Sequence, residues 1–144
     1  METTDTTRFV NLNTYAESRP VEGDIVTVLD GRHEQRGIKL ISSYSRAVPR
    51  YSIHELIATD ERDKKPGDTL DRISYLAFFE VVAGGCLLVG QTVNIGGLPV
   101  GHIIGFDETH EPNHLNIIIS VSERKTGREL DLHPGFGVRF ELQR

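Results

Sequence analysis

Tryptophan is absent from this 144-residue chain, methionine occurs only at position 1 and cysteine only at position 86. A single cysteine cannot close a disulfide within the chain. Cys86 lies between Gly85 and Leu87-Leu88-Val89 with no cation near it in sequence, so a buried and inert thiol is expected. Long apolar runs are also missing, and none approaches the roughly 20 residues that cross a bilayer as a helix. Met1 to Thr7 is polar and acidic, unlike a secretory leader, so no membrane partner and a reducing, cytoplasmic setting are expected. Positive charge is short as well: 16 Lys and Arg against 21 Asp and Glu give a net charge of −5. That balance argues against nucleic acid as a general partner, because such affinity comes from cations neutralising phosphates. There is no Gly-x-Ser-x-Gly elbow, the glycine run Gly84 to Gly90 lacks the lysine of a phosphate loop, and strands do not alternate with helices as in a dinucleotide fold. A nucleotide-driven enzyme is not expected.

What is present is strand pattern. A chain of this length buries roughly two-thirds of its unfolded surface, enough for one core without metal or disulfide. Residues 1–19 are expected to be a flexible tail with room for a short strand at Arg8 to Tyr15, and residues 20–144 a single domain. Extended patterns occupy Ile25 to Leu29, Gly37 to Ser43, Arg72 to Ala83, Thr92 to Ile95, Val100 to Phe106, His114 to Val121, Arg128 to Leu132 and Phe136 to Leu142. Along His114 to Val121, Leu115, Ile117, Ile119 and Val121 share one side, and His114, Asn116, Ile118 and Ser120 the other. The run Ile117 to Ile119 points to a central strand covered on both faces. Both sides of Arg72 to Ala83 are apolar too, Glu80 excepted, which predicts self-association as a homo-oligomer. Ser52 to Asp60 reads as one short helix, with Ser52 and Glu55 as a capping box and Ile53, Leu56 and Ile57 as its stripe. Glu61 to Asp71 reads as an exposed charged connector. With too little helix to cover a broad sheet, the expected fold is mainly β, a small antiparallel β-barrel with one short helix.

The segment LVGQTVNIGGLPVGHIIGFD, Leu88 to Asp107, resembles the strand, glycine turn and Gly-x-x-x-Gly corner of translation-factor and cradle-loop barrels. The whole chain, above all GFDETHEPNHLNI (Gly105 to Ile117), resembles a bacterial family of small proteins with no assigned function, a resemblance that implies no activity. Gly23 to Val26 and the later glycine corners are faintly similar to the small subunit of 2-amino-4-oxopentanoate thiolase, without a motif that transfers a residue role.

Chemistry concentrates in Asp107-Glu108-Thr109-His110-Glu111-Pro112-Asn113-His114. His110 and His114 have the four-residue spacing with which two histidines chelate a divalent metal from a helix, but Pro112 disfavours helix there. The plainer reading is a hydrogen-bonded loop in which Asp107 and Asn113 make local turns. His102 enters this loop on the preceding strand and, in the simplest register, faces His114 or Asn116. The expected ligand-binding set is therefore His102, Asp107, Glu108, His110, His114 and Asn116, with His110 and His114 as metal candidates. His33, His54 and His133 are read as surface residues. Arg32, Arg36, Lys39, Arg46 and Arg50 against Glu34 alone mark either solvated strand faces or an anion site. The leading functional expectation is a binding or accessory module for a small polar ligand. The alternatives are a metal-assisted hydrolase or lyase, with His102, His110 and His114 as ligands and Glu108 or Glu111 as acid or base, and a structural subunit of a larger complex.

Overall fold

The computed structural model describes residues 15–143, so the strand expected at Arg8 to Tyr15 falls, Tyr15 apart, outside the described residues. Val21, Gly23 and Ile25 are buried while Asp24 and Val26 are exposed, the two-residue period of a strand with one covered face. This is β1 (Val21–Val28), and β2 (Arg32–His33), β3 (Ile38–Lys39), β4 (Ser45–Val48), β5 (Ile53–Thr59) and β6 (Thr69–Leu70) follow. The second half holds β7 (Ile73–Ala83), β8 (Gly85–Leu88), β9 (Thr92–Ile95), β10 (Leu98–Asp107), β11 (Asn116–Ser120) and β12 (Gly137–Glu141). The chain is mainly β. Among the described residues no helix is long and apolar enough to cross a membrane.

Eight strands form one sheet in the order β1-β12-β9-β10-β11-β5-β7-β2, and β1 also pairs with β7. Leaving aside the short β2, the pairing therefore runs in a closed circuit, which removes the open edges an isolated sheet would present. The pairings are antiparallel except β11 with β5, which is parallel. β3–β6 and β4–β8 form two separate two-stranded pieces.

The alternation on β11 sorts the core as expected. Leu115, Ile117 and Ile119 join Leu56, Phe79, Phe106 and Phe140 in the larger apolar cluster, and Ile118 faces the other way. On that other face, Ile118 packs with Ile57, Ile73 and Ile104 beneath Ile38, Leu40 and Leu70. The β3–β6 pair thus acts as a flap over one sheet face. Gly105 makes this possible, since a Cβ there would stand 3.0–3.3 Å from three Leu40 side-chain atoms. At the other glycine of the Gly-x-x-x-Gly corner, Gly101, a Cβ would stand 2.2 Å from the Ser120 carbonyl oxygen.

Several expectations are corrected. Ser52 to Asp60 is not a helix but β5, and every residue of β5 from His54 to Thr59 is buried. A strand covered on both faces shows a continuous apolar run, which overlaps the i, i+3, i+4 stripe of a short helix. Ser52, read as a cap, donates its hydroxyl to the Pro49 carbonyl at 2.6 Å. Arg128 to Leu132 is a set of turns closed by Leu130 N–H to Thr126 O at 3.0 Å and Leu132 N–H to Gly127 O at 3.1 Å. The charged connector Glu61 to Asp71 contains β6, and its Leu70 is buried. Cys86 is exposed on β8, opposite Ala47 of β4, rather than buried.

Candidate functional site

Strand register builds a lateral row of side chains at the end of the flap-covered face. Asp107 pairs with Asn116, Asn116 with Glu55, and Glu55 with Phe78, so β10, β11, β5 and β7 each contribute one residue. These positions alternate with core residues and therefore share the face of Ile57 and Ile118. Asp107, Asn116 and Glu55 are nonetheless buried, at 3%, 1% and 7% exposure. Burying polar groups is costly unless they are paired, so the pairing is informative.

Asp107 accepts from the Thr109 hydroxyl at 2.7 Å and from Asn116 Nδ2 at 2.8 Å. With Asp107 Oδ2 as the acceptor, the amide presents its donor end, which sets the Asn116 orientation. Asn116 Oδ1 is then buried without a hydrogen-bond partner among the described residues. Such an acceptor costs about 1–3 kcal/mol.

Glu55 meets His114 through Oε1 and Nε2 at 3.1 Å, with both side chains largely shielded from water. Burial pushes the Glu55 carboxyl up to about 6, Asp107 adding to the rise while His110 and Arg36 oppose it. On the other side of the ring, His114 Nδ1 lies 2.7 Å from Asn113 Oδ1. The Nε2–Oε1 contact sets the imidazole directly against the Glu55 carboxyl. His114 also stacks on His110, with centroids 5.0 Å apart, and meets the Phe78 ring edge-on at 5.1 Å.

The loop that presents these histidines is fastened from outside it. Arg46 of β4 binds Glu108 with one guanidinium nitrogen and Glu111 with the other, the latter at 2.7 Å. Inside the loop, Glu111 N–H reaches Glu108 O at 3.1 Å and Asn113 N–H reaches His110 O at 2.8 Å, so turns rather than a helix bring His110 to His114. Behind the row, His54 is buried, not on the surface. Its Nδ1 accepts the Leu115 N–H at 3.0 Å, which leaves Nε2 to donate to the Ser52 hydroxyl at 2.9 Å. Burial holds this ring below the usual imidazole range, in agreement with a neutral tautomer.

Of the expected residues, the structure gathers Asp107, His110, His114 and Asn116, and it ties Glu108 to Arg46. His102 lies apart, because it pairs with Ser120 rather than with Asn116 or His114. It is five residues from Asp107 along β10, about 16 Å at strand rise. Both ring nitrogens of His114 are engaged, and among the described residues no group of three or more His, Cys, Asp or Glu is arranged to hold a metal ion. The sequence reading assigns no site role to Glu55 or His54; the signal available for Glu55 is an acid inside a run of buried aliphatics. Of the arginines read as an anion site, Arg32 is paired with Glu129 and Arg46 with two acids.

A cleft of about 540 Å³ lies elsewhere, on β1, β9 and β12. Its cation, Arg139, is held by Glu22 and Glu141. Size favours that cleft, but the buried unpaired acceptor and the carboxyl raised by burial are in the Glu55 row, and chemistry is the better guide to a site.

No curated protein and no solved structure matches the chain. A family model matches residues 15–141. The chain belongs to DUF6917, a family of unknown function.

Proposed function

We propose that this protein is a binding module that receives a small polar ligand bearing N–H or O–H donors, an amine, amide or polyol, at the Asp107, Asn116, Glu55 and His114 row. The observation that carries the reading is the buried Asn116 Oδ1, an acceptor without a donor beside two further acceptor groups. A ligand donor is the simplest group to complete that row. The closed strand circuit is read as a barrel with the site at its outer rim, working in the reducing cytoplasm where one unpaired cysteine is ordinary. Self-association in this reading uses Tyr51, Ile53 and Val82, exposed large apolar residues where β5 and β7 begin and end. Sedimentation at micromolar concentration checks that part, and a monomer alone removes it.

The test is a thermal-shift screen with small amines, amides and polyols against a matched set of carboxylates. Donor-bearing compounds should raise the midpoint, as any ligand of the folded state must, and the rise should vanish in Asn116→Ala. Equal shifts in the variant, or none with any donor compound, would remove the proposal.

The second reading is an enzyme in which Glu55 and His114 exchange a proton with substrate. It is favoured by the Glu55 carboxyl lying near 6, where acid and base forms are both populated close to neutral pH. In its metal-assisted form, His110 and His114 are the ligands and His114 must give up a present partner. Metal analysis of freshly purified protein distinguishes that form.

A further inference from the structure

The displaced His102 belongs to a second cavity, and we infer that this cavity is a binding site for a small carboxylic acid with an apolar body. The cavity measures about 200 Å³ and is assembled from four separate stretches of chain. Its apolar wall is Val89, Ile103 and Ile104, with Pro66 from the 64–67 turn. Its polar rim is Tyr44, Lys64, Lys65 and His102, and among the described residues no acidic one lines it. In a chain with a net charge of −5, two lysines and a histidine around an acid-free hollow run against the overall balance.

The rim groups have donors to spare. Lys64 gives one hydrogen bond to Thr69 O at 3.0 Å, and its carboxylate neighbour Glu61 is 3.6 Å away. That acid already accepts the Asp71 and Arg72 N–H groups, both at 2.7 Å. Among the described residues Lys65 Nζ has only Asp68 at 3.6 Å, beyond hydrogen-bond length, and Asp68 accepts the Lys65 backbone N–H at 3.0 Å. Neither the His102 ring nor the Tyr44 hydroxyl has a hydrogen-bond partner among the described residues. The walls, by contrast, are fixed: Val89 N–H bonds Tyr44 O at 3.0 Å and Gly90 N–H bonds Ile103 O at 2.8 Å.

These features select the ligand class. An apolar wall would leave most oxygens of a phosphate without donors, whereas a carboxylate turns its hydrocarbon to Ile103 and Ile104 and its charge to the rim. The volume equals roughly seven waters at about 30 Å³ each, which suits an acid the size of benzoate. This site is separate from the Glu55 row and stands or falls independently of it, since the two want ligands of opposite polarity.

Histidine-ring NMR during titration with benzoate, and with its neutral isostere benzamide, tests the inference. Benzoate should move the His102 ring signals saturably and leave those of His114 in place, with benzamide moving the His102 signals at least tenfold more weakly. Lys64→Gln with Lys65→Gln should weaken benzoate at least tenfold and leave benzamide unchanged. Lys65→Gln alone, which removes no hydrogen bond made by Nζ, should weaken it measurably in a protein of unaltered midpoint. Absence of a saturable His102 response, equal binding of acid and amide, unchanged affinity in the lysine variants, or movement of His114 instead would each overturn it.

Discussion

Two neighbouring rows of side chains cross the same four strands on the same face. One is Asp107, Asn116, Glu55 and Phe78; the other, two to three residues further on, is Gly105, Ile118, Ile57 and Tyr75. Both are shielded from water at their central positions, where Asn116 is 1% exposed and Ile118 0%. The second row excludes water with hydrocarbon under the β3–β6 flap, and every contact there adds to stability. The first row hides an unpaired acceptor and a carboxyl that gives up its proton only near pH 6. Equal burial thus serves opposite ends, and what separates the rows is whether their polar groups are satisfied.

Substitutions that probe this contrast should differ in size. The largest effect is expected for Ile118→Ala, which empties a buried site under the flap and should cost about 2–5 kcal/mol in denaturant unfolding. A loss below about 1 kcal/mol would mean that the flap collapses into the space and that the apolar row is not tightly packed. Gly105→Ala attacks the same row from below. Its Cβ would crowd Leu40 at 3.0–3.3 Å, and overpacking of this kind costs about 1–3 kcal/mol. Adding Leu40→Ala should give a double variant less destabilised than the sum of the two, because one change makes room for the other.

The polar row should reveal itself through pH. Glu55 rises from its ordinary 4.5 to about 6 in the folded protein. Between those values the folded state holds the proton more tightly than the unfolded chain, so stability falls as pH rises through the window and is constant above it. The loss should be about 1–2 kcal/mol, allowing for partial solvent screening. His54 acts in the opposite sense. Its folded pKa lies below the ordinary 6.5, so its contribution grows as pH rises toward that value. Glu55→Gln should therefore abolish the fall and leave only the rise. A variant profile that still falls between pH 4.5 and 6 would assign the titration to another group.

The two rows also differ in how far the sequence discloses them. The apolar row is legible, because alternation along β11 places Ile118 opposite Leu115, Ile117 and Ile119, and alternation is a local property. Strand content is legible for the same reason. The polar row is legible only by half. Asp107, His110, His114 and Asn116 are close in sequence and stand out as a cluster, whereas Glu55 is 59 residues from His114 and arrives through the parallel β5–β11 pairing. Register between distant strands leaves no trace in local pattern, and so the simplest register sets His102 opposite His114 or Asn116, whereas its partner is Ser120. Reading β5 as a helix turned Glu55 into a capping residue and hid it. His54 was missed in the same way, since a buried neutral histidine and an exposed one look alike until the partner, here the Leu115 N–H, is known.

The smallest stability change, and the one that separates the rows most clearly, is expected for Asn116→Ala, two residues from Ile118. Truncation removes the buried unpaired Oδ1, a gain of about 1–3 kcal/mol of avoided desolvation, and deprives Asp107 of the Nδ2 donor, a loss of similar size. Asp107 keeps the Thr109 hydroxyl at 2.7 Å, which limits that loss. The net shift should stay below about 1 kcal/mol, several times less than for Ile118→Ala, while the midpoint rise given by donor-bearing ligands disappears. Asn116→Leu should be costlier than the alanine change, because it fills the space between two carboxyl groups with hydrocarbon and leaves no room for water to reach Asp107. If Asn116→Ala instead destabilises the protein as much as Ile118→Ala, the polar row is a structural element like its neighbour and the acceptor is no invitation to a ligand.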